Sequence, residues 1–136
     1  MNNIKVLLAD DHGVVRKGLR FVLEQETDLT VAGEAPDGRE AVRLARELQP
    51  NVVVMDIAMP QLNGIDATAQ IVKQNPAISV LILSMHNDET YLLRALESGA
   101  RGFLLKDTAE EDLVRAIRLV ATGKPFFSPA IAQTLL

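Results

Sequence analysis

Apolar and polar-studded stretches alternate along this chain with a regular beat. Five short runs read as strands: Ile4–Ala9, Leu29–Ala35, Asn51–Met55, Ile78–Leu83 and Arg101–Leu105. Three are nearly continuous in Val, Ile and Leu, as in strands covered on both faces. Leu29–Ala35 is more mixed, with Thr30, Gly33 and Glu34, and suits an edge. Between the runs, apolar residues recur at three- and four-residue spacing, the period of a helix with one buried side. Val15, Leu19, Val22 and Leu23 mark the first helix, and Ala41, Leu44, Ala45 and Leu48 the second. Ile65, Ala69 and Val72 mark the third, Leu92, Leu93 and Leu96 the fourth, and Leu113, Ile117 and Val120 the fifth.

The punctuation agrees. Asp37 with Glu40 three residues later forms a variant capping box, and Pro50 stops the helix that follows. Gly99 and Gly123 stand where the fourth and fifth helices end, with Pro125 just beyond. Five strand–helix units with short connections and right-handed crossovers predict an α/β fold, a doubly wound five-stranded parallel sheet.

Length and composition narrow the picture. A chain of 136 residues suits one domain with a self-sufficient core. With no cysteine, neither a disulfide framework nor a thiolate metal site is possible. No run approaches the ~18–20 apolar residues that span a bilayer, and no signal-peptide pattern opens the chain, so a cytoplasmic protein with no membrane contact is expected. A formal charge of −4 argues against wrapping nucleic acid with this segment alone. From Lys124 onward the chain reads as a linker, in which Ser128 and Pro129 signal a short helix over Ala130–Leu136. The ending at Leu135 and Leu136 looks interrupted, and a further domain is expected after it.

The chemistry lies at the ends of the strands. The first ends on Asp10 and Asp11, the third on Asp56, the fourth on Ser84 and the fifth on Lys106. In open α/β sheets that edge is where ligands bind. Three carboxylates there repel by roughly 3–4 kcal/mol per pair at ~4–5 Å and an effective dielectric near 20, so the cluster calls for a cation or a shared proton. Hard oxygen donors in such a crevice suit Mg²⁺, which needs few protein ligands. Asp56 is placed to act as a nucleophile toward a phosphoryl group. Lys106 would offset charge on the transferring oxygens, and Ser84 would donate a hydrogen bond to one of them.

Asp10 and Asp11, Asp56 followed by Met59, Pro60 and Gly64, then Ser84 and Lys106, resemble the response-regulator receiver domain of two-component signalling. The resemblance covers residues 1–122, with 123–136 as the start of a linker. The stretches from Leu8 to His12, Gly99 to Phe103 and Leu104 to Asp107 are similar to the NarL/FixJ subfamily, in which a LuxR-type helix-turn-helix domain follows the receiver. The resemblance implies a flavodoxin-like (βα)5 fold with strand order 2-1-3-4-5. It implies that Asp11, Asp56 and the main-chain carbonyl of Ala58 hold Mg²⁺ directly, with Asp10 acting through water. It further implies that Asp56 is phosphorylated by a histidine kinase, that Ser84 and Phe103 form the switch, and that phosphorylation drives homodimerisation and promoter-DNA binding through a C-terminal domain. Such a protein is a regulator and not a turnover enzyme. Two positions depart from the common pattern: Asp107 stands where receivers often carry Pro, and Phe103 where Tyr is frequent. Ala58 and His86 fall where the family flanks the phosphoryl group.

Plainer readings exist for single residues. Asp11 could cap the first helix, Ser84 could be a turn residue, and Phe103 could be a half-buried core residue. His12 and His86 read as surface or helix-start residues, because no third nitrogen or sulfur ligand is spaced to help them. Gly64 reads as a backbone requirement at the third helix. A haloacid-dehalogenase-type phosphatase would want an acid two residues after the nucleophile, where Ala58 stands. A nucleotide-binding module would want a glycine-rich loop where Asp10 and Asp11 lie. A stand-alone receiver that regulates by protein contact is the remaining alternative.

Overall fold

Alternation within each buried strand assigns successive side chains to two different cores. A computed structural model describes residues 3–85, 89–127 and 133 of the chain. In it β1 (Ile4–Ala9), α1 (Gly13–Glu24), β2 (Leu29–Ala35), α2 (Gly38–Leu48), β3 (Val52–Asp56), α3 (Gly64–Gln74), β4 (Ser79–Ser84), α4 (Glu89–Glu97), β5 (Gly102–Leu105) and α5 (Ala109–Ala121) follow in turn. Leu7, Ala9, Val53, Met55, Val80, Ile82 and Phe103 pack on one face beneath α2, α3 and α4. Val6, Leu8, Val52, Val54, Leu81, Leu83 and Leu104 pack on the other with Leu23 of α1 and Leu113, Ile117 and Val120 of α5. Because both faces are covered, a one-residue slip would exchange the two cores, which fixes the register of every strand end.

The strand order is β2-β1-β3-β4-β5, as the resemblance implied, and all pairings are parallel. The five expected strands need one correction: among the described residues the sheet has a sixth, short strand. β6 (Phe126–Phe127) lies parallel to β5, with Phe126 opposite Gly102 and Phe127 opposite Phe103. After Gly123, whose φ is +88°, the chain turns back, and the Phe126 N–H donates to the Arg101 carbonyl at 3.0 Å. Two residues carry no readable period, so the pair was indistinguishable from linker in the sequence.

Helix ends follow the local chemistry. Asp37 accepts a hydrogen bond from the Glu40 N–H at 2.9 Å and starts α2, as its position predicts. Asn63 caps α3 in the same way, accepting from the Asp66 N–H at 2.9 Å. Gln49, in the left-handed region at φ +49°, ends α2 one residue before Pro50. On α3, Ala67, Thr68 and Ile71 are buried while Ala69 is exposed, so the inward stripe is shifted from the predicted one. The short helix expected over residues 130–136, and His86, lie outside the described residues apart from Gln133. No described helix is long and apolar enough to cross a membrane.

Candidate functional site

The strand order alone brings the predicted residues together. β1 and β3 are neighbours although β2 intervenes in sequence, so Ala9 pairs with Met55 and the acids that follow each strand stand side by side. Asp56 pairs with Leu83, and Ser84 with Leu105, which carries the edge across β4 to the residue before Lys106. This is the switch point of an open α/β sheet, where the chain leaves β1 in opposite directions to build its two halves.

Asp10, Asp56 and Ser84 are buried, at 1%, 4% and 3% exposure, whereas Asp11 is exposed. Lys106 opens a short 3₁₀ turn through Thr108 and reaches back over the edge. Its Nζ lies 3.2 Å from Asp10 Oδ2 and 3.2 Å from Asp56 Oδ1. Among the described residues, Asp56 Oδ2 is buried with no hydrogen-bond donor, and Asp10 Oδ2 has only the ion-pair contact with the ammonium. Burial, then the negative charge of Asp10, holds the Asp56 carboxyl above the usual carboxylate range, with Lys106 opposing them. Burial opposes the charge on Lys106, yet Asp56 and Asp10 together hold its ammonium above the usual lysine value.

The loop after β3 is pressed against the site. A Cβ on Gly64 would stand 1.9 Å from the Asp56 carbonyl oxygen, and the Gly64 N–H donates to the Ile57 carbonyl at 2.8 Å. The glycine is required by close approach, since its backbone does not need the left-handed region. Gly64→Ala is therefore expected to cost about 3 kcal/mol of stability through overpacking against main chain. Urea unfolding checks this, and an unchanged midpoint would remove Gly64 as the seat of α3.

A cleft of about 150 Å³ opens over these groups, lined by His12, Asp56, Ala58, Ser84, Tyr91 and Lys106 among others. One donor atom each from Asp10, Asp11, His12 and Asp56 falls within a 4.8 Å span. Three carboxylates and two partnerless or underpartnered buried oxygens suit a hard cation, so the residues fit a bound divalent metal ion. Asp11 does not cap α1: His12 holds the cap position, and no side-chain cap bond forms there. Phe103 stands apart from the cleft. It is 1% exposed and sits wholly in the core with Ile82, Leu92 and Ala95, not half-buried.

Sequence reasoning missed three features. Tyr91 of α4 lines the cleft. Arg16 of α1 donates through Nη1 to the Asp10 carbonyl and through Nε to Glu34 Oε1 at 3.1 Å, while Arg20 Nη1 donates to Glu34 Oε2 at 2.8 Å. This clamp ties the acid-bearing loop to β2. Its only sequence signal is a pair of arginines four apart on one helix face. The third is His12, whose ring turns back onto the acids, with Nδ1 3.2 Å from Asp10 Oδ1 and 3.0 Å from Asp11 Oδ1.

The family model of the response regulator receiver domain matches residues 6–118. The chain belongs to this family. Its receiver is 36% identical over 135 residues to the transcriptional regulatory protein DegU of Brevibacillus brevis, covering 99% of this chain and 57% of DegU. With 62% covered in other relatives, such as response regulator GacA of Pseudomonas aeruginosa, the chain spans about three fifths of the length of the curated relatives it matches. A two-component response regulator of the LuxR family from an Aurantimonas species superposes with TM-score 0.94 at 39% identity, over 98% of this receiver and 96% of that chain. The isolated receiver of RcsB from Salmonella enterica serovar Typhimurium, solved with a beryllium fluoride phosphomimetic, gives TM-score 0.89 at 31% identity, over 98% and 99%. RcsB is also known in complex with DNA, and there this receiver covers 68% of the RcsB chain.

Proposed function

We propose that the receiver accepts a phosphoryl group on Asp56 from the phosphohistidine of a partner kinase, and thereby switches a cytoplasmic transcription regulator. The Asp56 carboxylate carries this reading: buried, with Oδ1 held by Lys106 and Oδ2 bonded to nothing among the described residues. An oxygen whose lone pairs are uncommitted is available to phosphorus entering the cleft. The transfer forms an Oδ–P bond and breaks the N–P bond of the donor, whose imidazole keeps the electron pair and takes a proton. Lys106, already 3.2 Å from Asp56 Oδ1, neutralises charge on the transferring oxygens. Ser84, at the end of the next strand, supplies a hydroxyl donor.

Asp11, Asp56 and the Ala58 carbonyl would hold Mg²⁺ directly, with Asp10 acting through water. When bound, the ion supplies positive charge beside phosphoryl oxygens that the acids would otherwise repel. The reaction is a single self-assisted transfer and not enzymatic turnover.

Phosphorylation replaces the single charge of the Asp56 carboxylate with a phosphoryl group that carries ~ −1.5 to −2 charges and three strong acceptor oxygens. Ser84 is drawn toward the new oxygens, and Phe103 follows into the space it leaves. Phe127 of β6 packs against the same core as Phe103, so such a repacking is felt where the chain leaves the domain. Moving a two-state balance from mostly off to mostly on takes about 5.5 kcal/mol. Charge-assisted hydrogen bonds to the phosphoryl group supply part of that. The face of α4, β5 and α5 is thereby reshaped, and the phosphorylated receiver pairs with a second copy. Residues 1–122, with β6 added at the edge of their sheet, act as the receiver, and the rest of 123–136 begins a linker to a C-terminal helix-turn-helix domain that binds promoter DNA. A stand-alone receiver is the second reading, and the regulators among its relatives favour the first.

Beryllium fluoride with Mg²⁺ tests the switch. The wild-type receiver is expected to bind it and shift from monomer to dimer in sedimentation. Ser84→Ala is expected to bind it within about tenfold of wild type but to stay monomeric, since one hydrogen bond to a charged group is lost. A wild-type receiver that neither binds nor dimerises would contradict the reading.

A further inference from the structure

The acids of the cleft have a neighbour that the proposed transfer does not use. His12 Nδ1 stands 3.0 Å from Asp11 Oδ1 and 3.2 Å from Asp10 Oδ1, and the four-residue cluster with Asp56 spans 4.8 Å. Adjacent donors around an octahedral ion with bonds of ~2.1 Å lie about 3.0 Å apart, and opposite donors about 4.2 Å. The 3.0 Å between His12 Nδ1 and Asp11 Oδ1 matches the first figure, and the 4.8 Å span of the whole cluster exceeds the second by an amount that a small inward movement of the donors would close. Independently of that spacing, the buried Asp56 Oδ2 has no partner among the described residues.

The local backbone aims the ring. His12 occupies the cap position of α1 at φ −99° and ψ 106°, and its side chain makes no capping bond. Its own N–H donates to Asp10 Oδ1 at 2.8 Å, which holds the residue against the acid pair. In the absence of an ion Nδ1–H can donate to the carboxylates; with one bound, the imidazole proton can sit on Nε2, where the 64% exposed side chain lets water accept it, and Nδ1 offers its lone pair to the ion.

We propose that His12 is a metal ligand of this site, and that its imidazole biases the site from Mg²⁺ toward first-row transition divalent ions such as Mn²⁺. The inference rests on the reading of the acid cluster as the cation site. Mg²⁺ takes hard oxygens and sheds water reluctantly. Imidazole favours transition ions, so one nitrogen donor among carboxylates changes the preference without closing the site. Among the described residues, the carboxylates of Asp10, Asp11 and Asp56 stand against the ammonium of Lys106, the one Lys or Arg cation in contact with them, which leaves charge for a divalent ion to balance.

The test uses Mn²⁺ and Mg²⁺ with the whole chain, without phosphodonor. Electron spin-echo modulation of bound Mn²⁺ is expected to show a directly coordinated imidazole nitrogen in wild type and in His86→Gln, and to lose it in His12→Gln. Mn²⁺ affinity should fall about tenfold or more in His12→Gln, the scale of losses around metal sites. Mg²⁺ affinity, read by competition, should fall less than about threefold, because Mg²⁺ gains little from nitrogen. Absence of the nitrogen coupling in wild type overturns the proposal, as does an unchanged preference between the ions. Tighter binding of both ions by His12→Gln also overturns it, since the ring would then be a competitor for the acids. A wild type that is phosphorylated on Asp56 with Mg²⁺ yet lacks the coupling loses this inference alone. One that neither binds metal nor takes the phosphoryl group loses the functional reading beneath it.

Discussion

Asp56→Asn is expected to end phosphorylation and, at neutral pH, to make the protein more stable. The two effects share one cause. Asp56 is buried beside Asp10, and its carboxyl is held above the usual range chiefly by desolvation and then by that neighbour. Folding therefore favours the protonated form. The sign follows: the stability contributed by this group is fully present below the ordinary carboxylate pKa, and is lost as pH rises through the higher folded value. At pH 7 the folded wild type carries a charge it would shed if it could. The amide removes that charge and leaves Lys106 paired with Asp10. A gain in stability is therefore expected at pH 7. It should shrink as pH falls through the Asp56 transition, where the wild type becomes neutral as well. Thermal unfolding of both proteins between pH 4 and 8 checks this, and a variant less stable at every pH would mean that the carboxylate stabilises the fold.

Lys106→Met is also expected to impair phosphorylation, but to act in the opposite direction on stability. Among the described residues, Lys106 is the only lysine or arginine whose cation contacts the Asp10 and Asp56 carboxylates. Removing it leaves two buried acids facing each other without compensation, a change that costs about 3 kcal/mol where such pairs have been broken. Sharing a proton relieves part of that cost, so the loss should be larger at pH 8 than at pH 5. Phosphorylation should slow by about 10²–10³, the scale of losing one preorganised charge contact to a transition state. Equal stability losses at the two pH values would show that the lysine matters for packing alone.

Much of this site was legible in the sequence because its residues are defined by where strands stop. Asp10, Asp56, Ser84 and Lys106 each follow an apolar run, and run ends survive small errors of register. β3 begins one residue later than its pattern predicted, at Val52, yet Asp56 still closes it. What the sequence withheld depends on side-chain direction or on pieces too short to have a period. His12 was placed at the start of α1, but nothing in its neighbours declares that the ring turns onto Asp10 and Asp11. The Arg16–Glu34 contact joins α1 to a neighbouring strand, and only the folded register reveals it. Phe103 was expected either as a switch residue or as a half-buried core residue, and it is fully buried. The two-residue β6 beside it completes the burial, and Phe126 and Phe127 could not announce themselves as a strand.

The site's role reduces to which side-chain oxygen takes the phosphorus. Treatment with acetyl phosphate and Mg²⁺, followed by borohydride reduction and peptide sequencing, converts an acyl phosphate to homoserine at its own position. Homoserine at position 56 alone, absent when the metal is chelated, is the predicted result. Homoserine at position 10 or 11 with Asp56 intact would contradict it.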